Sequence, residues 1–412
     1  MKNKAEMLVG EIEEILKKDV YKKIDETALK NFGKVLYAFQ KNRVSQRHLF
    51  GTTGYGYGDI GRDTLNAVFA DIAGAEKAVV SPYLASGTHA LTVALFGLLR
   101  PGGLLLSISG EPYDTLKDVI SKENAGSLKD FGIRYRGVNL SGGKFDKEKI
   151  KEALDAERGV KKVVFLQRSK GYNWRNALPL SEIREICAFV KHNDENAVIA
   201  VDNCYGEFVD AAEPTETGAD IIIGSLIKNP GGGLAPTGGY IAGKAEPMEK
   251  IANRFTAPSI GTEITSYLSG YLPFYQGLFF APTVVAAALK GCALMSALFN
   301  RLGYNTMPKP YEVPNDIITS IEFADKGRLL DFMKIIQKIS PIDSYVSPEP
   351  WEMPGYEDLV VMAAGCFVGG ASIELSADAP VREPYIGYLQ GGLTYEHVKT
   401  AAISCAERFL KD

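Results

Sequence analysis

The sequence predicts an α/β protein: a large domain with a mostly parallel sheet and helices on both faces, plus a small α+β C-terminal domain. Three observations carry this reading. From about residue 63 to 290, short apolar runs alternate with helical stretches. Several of those runs are continuously apolar, as in strands covered on both faces. The chain has 412 residues, beyond the roughly 250–300 at which a single core stops growing.

Residues 1–50 are expected to be an N-terminal helical segment. Leu8, Ile12, Ile15 and Leu16 recur at helical spacing among Glu and Lys, which predicts an amphipathic helix over 1–40, packed on the body or on a partner subunit. The run GTTGYGYGDIGRDT, from Gly51, is dense in Gly and Tyr and predicts an irregular loop. The large domain is placed at 51–290. Its strand candidates are Lys77–Val80, Leu104–Ile108, Val163–Gln167, Val198–Asp202, Ile221–Ser225 and Gly239–Ala242, with helices such as Leu180–His192 between them. A long helix follows over Pro282–Leu302. The small domain, 291–412, is read as a strand (Ile317–Phe323), a helix (Lys326–Ile339), two strands (Leu359–Ala363 and Ala371–Leu375) and a closing helix (Glu396–Leu410).

Composition narrows the function classes. The chain is 46% hydrophobic and 23% charged, as in ordinary globular proteins. Its net charge is −4, without the basic excess of a nucleic-acid binder. Five widely spaced cysteines with no C-x-x-C predict free buried thiols in a reducing compartment. The four histidines never stand at i, i+4, so no metal site is expected. The N-terminus is too charged for a signal peptide, and no run approaches 18 unbroken apolar residues. A cytoplasmic protein with neither nucleic acid nor membrane as partner is expected.

Five segments together suggest chemistry. Ser86-Gly87-Thr88-His89-Ala90 follows an apolar strand and opens a helix, whose free N–H groups suit a phosphate. Alone, the run reads more simply as a helix cap. Tyr113, in Gly110–Thr115, sits after a strand, where ligands bind open α/β sheets. Its ring could stack on a flat cofactor, or it could be one loop tyrosine among 20. Asp202 closes the strand AVIAVD. A buried carboxylate there needs a cation such as a protonated pyridine nitrogen; a helix cap or a metal ligand is the plainer alternative. Lys228 closes Gly224-Ser225-Leu226-Ile227-Lys228, where desolvation would lower its pKa and make a nucleophile, and the glycines after it would leave room for a bulky ring. A lysine reaching out to water from a strand end is common. Arg382, in the small domain, could grip a carboxylate bidentately or form a surface ion pair.

In this order the segments resemble the fold-type I enzymes that use pyridoxal 5′-phosphate (PLP), over roughly residues 50–400. The similarity is to the lyases of Cys/Met metabolism, with VDNCY and GSLIK resembling their pyridine-binding Asp and Schiff-base Lys segments. The runs YGYGDIGRDTL, QRSKGYNWR, NPGGGLAPTGGY and LSADAPVREPYIGYLQGGLTY resemble the aluminium-resistance, methionine γ-lyase-like branch, related to cystathionine β-lyases. The resemblance implies a fold-type I PLP-transferase whose cofactor forms a Schiff base with Lys228 and has Asp202 on its ring nitrogen. It implies phosphate contacts from Ser86, Gly87, Thr88 and Ser225, and Tyr113 on the ring face as well as in proton transfer. Arg382 would hold the carboxylate of a small amino-acid substrate. The lyases complete a neighbouring subunit's site with Tyr-x-Arg. Here Tyr57 fits the tyrosine, Asp59 stands in place of the arginine, and Arg62 is the candidate substitute. A homo-oligomer is implied: a dimer for the active sites, with a tetramer expected.

The implied reaction is β- or γ-elimination at a carbon–sulfur bond. Other PLP reactions (aldolase, racemase, aminotransferase) remain open, since SGTHA also resembles aldolases. A nucleotide-binding α/β protein is the other class, but no G-x-x-x-x-G-K-[ST] occurs and GYGYGDIG follows no clear strand. A non-catalytic relic of the fold is opposed by the joint presence of Asp202, Lys228 and Arg382.

Overall fold

The computed structural model describes residues 2–353 and 356–410, so the outermost residues of the expected 1–50 and 291–412 segments lie outside it. Seven strands form the large sheet: β1 (Lys77–Ser81), β2 (Leu104–Ser107), β3 (Arg134–Gly137), β4 (Lys162–Gln167), β5 (Val198–Asp202), β6 (Ile221–Ser225) and β7 (Gly239–Gly243). Their order is β1-β7-β6-β5-β4-β2-β3. β7 runs antiparallel to both its neighbours, and every other pair is parallel. Val164 and Leu166 of β4 join the apolar cluster on one face, and Val163 and Phe165 the cluster on the other. Helices cover both faces, which is why these strands are continuously apolar. Within this sheet, the strand missing from the sequence reading is β3. It reads RYRG and forms an edge, where polar residues protect exposed backbone and no apolar run is needed.

The N-terminal segment is two helices, Lys2–Lys18 and Val20–Lys41, broken at Asp19. Ala5, Val9, Ile12 and Leu16 are buried, whereas Ile15 points outward and is 43% exposed. The segment belongs to the body: Tyr395 Oη donates to Glu13 at 2.9 Å, and the Tyr21 and Tyr395 rings meet edge-on at 5.6 Å.

The long apolar helix spans Leu272–Arg301, ten residues earlier than expected at its start. Pro282 sits inside it and Pro273 in its first turn, where a missing N–H costs nothing. It is the one helix among the described residues long and apolar enough to cross a membrane, but 72% of its apolar window is buried within the protein. The expected domain boundary at 290/291 falls inside this helix, so it carries the small domain on the large one.

The small domain holds an antiparallel sheet of β8 (Asn305–Met307), β9 (Ile318–Glu322), β10 (Val360–Ala363), β11 (Ser376–Pro380) and β12 (Ile386–Gln390), in the order β10-β11-β12-β9-β8. β8, β11 and β12 were not expected from the sequence. Ala371–Leu375, expected as a strand, is a turn. The Glu374 carboxylate accepts from the backbone N–H groups of Phe367 and Val368, both at 2.9 Å, and folds this stretch back before β11 begins. The helices Lys326–Lys338 and Tyr395–Phe409 complete the domain.

Candidate active site

A cavity of about 520 Å³ opens where the carboxyl ends of β4, β5 and β6 face the small domain. This is where open α/β sheets bind ligands, because the strand ends and the loops after them splay apart there.

One wall is the start of the helix Gly87–Leu98. Ser86 caps it, its hydroxyl accepting from His89 N at 3.0 Å, so its side chain is engaged and the N–H groups of Gly87 and Thr88 are left for an anion. A Cβ on Gly87 would lie 3.4 Å from Ser225 Cβ and 3.5 Å from Cys204 Sγ. The helix start is thus seated directly on the end of β6. Thr88 Oγ1 lies 2.8 Å from Tyr113 Oη and so ties this wall to the next.

Tyr113 is held from behind, its N–H donating to Gln167 Oε1 at 2.9 Å. Burial, and then the charge of Asp202, push its phenol above the ordinary tyrosine range. The group stays protonated at neutral pH and can give a proton to a leaving group.

Asp202, at the tip of β5, is 2% exposed and accepts from Cys204 N at 3.1 Å. Burial raises its carboxyl, and the Lys228 charge opposes that rise. Asp202 and Lys228 line the same cavity. Lys228 Nζ lies 3.8 Å from the centroid of the Tyr205 ring. Burial alone would lower its pKa, as expected from the sequence. The facing Cys204, Tyr205 and Asp202 side chains outweigh burial and hold the amine well above the ordinary lysine value. Tyr205 adopts a left-handed backbone (φ 69°), a conformation that costs a non-glycine residue about 1–3 kcal/mol and recurs at functional sites.

The glycines after Lys228 have a different use from the one expected. A Cβ on Gly231 would meet Leu226 O at 1.8 Å, one on Gly232 would meet Gly277 O at 2.4 Å, and one on Gly277 would meet Gly231 O at 2.1 Å. Gly231 lets the loop turn tightly on itself, and Gly232 and Gly277 let the long helix pack backbone to backbone against it; none of these glycines is among the described residues that line the cavity.

Arg382 lies at the rim, more than half exposed, with its guanidinium 2.7 Å from Asp358. Tyr57 and Arg62 are not among the described residues that line the cavity. Tyr57 is 66% exposed. Arg62 is 3% exposed and turned inward, donating to Gly56 O at 3.0 Å and Asp63 at 2.8 Å. Asp59, where the Cys/Met lyases carry arginine, caps the helix Ile60–Ile72 by accepting from Arg62 N at 2.9 Å. Arg62 is therefore consumed in holding its own loop.

The structure adds residues that the sequence reading did not single out. Gln167, Tyr172, Tyr205, Tyr356, Asp378, Tyr388 and Gln390 all line the cavity. Asp378 had a sequence signal: a carboxylate in an otherwise small-residue strand whose alternate members, Ala377 and Ala379, are core.

The donor set suits PLP: a helix start for the phosphate, a ring for stacking, a buried carboxylate for a pyridinium and an amine for the aldehyde. The methionine gamma-lyase family pattern matches residues 6–410. The uncharacterised protein YnbB of Bacillus subtilis is 49% identical over 396 residues, spanning 95% of this chain and 93% of that one. A solved structure from Clostridium novyi, described as a carbon–sulfur lyase involved in aluminium resistance, superposes with a TM-score of 0.92 at 49% identity, over 97% of this chain and 95% of that one. The PLP-dependent protein YhfS of Escherichia coli, 18% identical, shares the fold with a TM-score of 0.63 over 94% of this chain and 97% of that one. With a match over nearly its whole length, and with the α/β architecture of the fold-type I enzymes, this chain belongs to the methionine γ-lyase family.

Proposed function

We propose that this protein is a PLP-dependent lyase that cleaves a carbon–sulfur bond in an amino acid. The observation that carries the reading is the convergence of Asp202 and Lys228, from the ends of neighbouring strands, on one cavity walled by a helix start. PLP supplies, when bound, an aldehyde that links to amines and a ring that draws electrons from the substrate's α-carbon.

The chain's own residues do the rest. Gly87 and Thr88 at the helix start, with Ser225, hold the phosphate. Asp202 keeps the proton on the pyridine nitrogen. Tyr113 would lie against the ring and would give its phenolic proton to the departing sulfur. Lys228 Nζ would hold the aldehyde and, once released, would take the α-proton as general base. Arg382 swings from Asp358 to bind the substrate carboxylate.

The assembly is read as a dimer at least, as the family's chemistry implies. Phe50, Tyr55, Tyr57 and Leu268 are 66–74% exposed, on two loops tied by the bond from Thr52 N to Ser266 Oγ at 2.9 Å. An apolar patch of this kind marks a partner surface, and it would carry Tyr57 to a neighbour's cavity. All five cysteines are free, which suits a reducing compartment.

Lys228→Ala should lose both borohydride-stable capture of PLP and turnover. A variant that still forms the reduced adduct would remove Lys228 from this role. Incubation with cystathionine, methionine, threonine and alanine separates the reactions: thiol and keto acid mark the lyase, glycine and an aldehyde mark an aldolase.

A further inference from the structure

The lining of the cavity is more acidic than basic. Among the described residues, six acidic and three basic side chains line the cavity. Two of the basic ones are already paired, Arg382 with Asp358 at 2.7 Å and Lys117 with Asp114 at 3.1 Å. The third is Lys228. Asp378, on β11, faces the cavity opposite the cofactor-binding strands. Gln390 Nε2 donates to its Oδ2 at 3.0 Å, and no cationic side chain among the described residues forms an ion pair with it.

Three tyrosines lie near this carboxylate, and the Tyr172 hydroxyl hydrogen-bonds to it. The Tyr172 ring lies 5.9 Å from that of Tyr356 and 5.1 Å from that of Tyr388, and all three line the cavity. Tyr388 is fixed by its hydroxyl, which donates to Tyr172 O at 2.7 Å. Ring faces carry negative potential, and rings grouped around a carboxylate are a common way to hold a compact cation. A neutral thioether chain would gain nothing from the carboxylate and would have to desolvate it.

We propose that Asp378, walled by Tyr172, Tyr356 and Tyr388, selects substrates that carry a cationic group, such as an ammonium, beyond the scissile bond. The inference rests on the reading above, in which Lys228 is committed to the cofactor and the substrate's own amine to the aldehyde. Burial raises the Asp378 carboxyl to about 6, against the pull of Gln390, Lys228 and Tyr172. A docked cation would relieve that cost.

The test compares S-(2-aminoethyl)-L-cysteine with S-propyl-L-cysteine, which differ by an ammonium against a methyl group. Dissociation constants for the PLP-loaded enzyme are read from the shift of the cofactor's visible band and, independently, by calorimetry. The charged ligand should bind about 10- to 100-fold more tightly, the range for a hydrogen bond to a charged group, and Asp378→Asn should erase the gap. Equal affinities in the wild-type enzyme, or a gap that survives in Asp378→Asn, would overturn the proposal. Should that variant fold poorly, the wild-type gap decides, and Tyr356→Leu must narrow it. Thiol and keto acid release is scored separately. If the ligands rank by charge but neither is cleaved, the recognition stands and the lyase reading falls.

Discussion

Replacing Glu207 with glutamine should flatten the protein's dependence of stability on pH, because this carboxyl is buried beneath the Lys228 segment. It is 3% exposed; its Oε1 accepts from Tyr240 Oη at 2.7 Å, and its backbone carbonyl accepts from Asn229 Nδ2 at 2.9 Å. Its Oε2 has no hydrogen-bond partner among the described residues. Burial, helped by the neighbouring Glu213 charge, pushes the group up from 4.5 to about 8, against the Tyr240 bond and the Lys228 charge. Between those two values the folded protein holds a proton that the unfolded chain releases, so stability falls as pH rises through this window. From pH 6 to pH 8 the loss is about 2 kcal/mol, at 1.36 kcal/mol per unit and partial titration near the top. With an unfolding entropy of about 2.1 cal/mol/K per residue, a chain of 412 residues turns that into roughly 2 °C. Glutamine is neutral throughout and keeps an oxygen for Tyr240. Thermal unfolding of both proteins, at equal concentration and saturating PLP, should show the variant gaining about 2 °C on the wild type between pH 6 and pH 8. A difference that stays flat over that range would refute a protonated Glu207.

Two further outcomes follow from the same geometry. Asp202→Asn keeps an oxygen for Cys204 N but loses the charge; kcat should fall by about 10²–10³ while Lys228 still captures PLP under borohydride, and unchanged turnover would remove Asp202 from the ring nitrogen. Gly277→Ala drives a methyl to 2.1 Å from Gly231 O and should cost about 3 kcal/mol or more, read as a drop in Tm of several degrees together with weaker PLP retention, because the displaced loop carries Lys228.

The fold was legible where burial writes a pattern. β5 and β6 lie where their apolar runs place them, because a strand covered on both faces must be apolar at every position. β3 was invisible because an edge strand has no such duty, and the turn at Ala371–Leu375 was misread because a side-chain carboxylate, not a Gly or Pro, makes it. Pro282 misled about the long helix: proline is common at helix starts, and here packing against the body overrides the lost N–H. Arg62 was cast as a reaching residue, but three residues earlier Asp59 accepts its backbone N–H, and the same compact turn takes its side chain.

The two halves of the cavity differ in legibility for a physical reason. The contacts proposed for a phosphate, a ring and an amine come from loops that follow strands of the large sheet, so each comes shortly after a recognisable apolar run. Chain geometry alone brings Asp202 and Lys228 together once β5 and β6 pair. The cation pocket has no such local grammar. Tyr172 lies on the loop after β4, Tyr356 in the approach to β10, Asp378 on β11 and Tyr388 on β12, four separate segments joined only when the small domain's sheet closes over the large one. A tyrosine in any of them is unremarkable by itself, and Asp378 becomes informative only once it is seen to form no ion pair among the described residues. Cofactor chemistry in this fold is therefore written locally, whereas the substrate's identity is written in tertiary contacts. That is also why Arg382, chosen for its charge and its position in the chain, sits at the rim already paired, while the carboxylate two residues before the end of the preceding strand faces the reaction space.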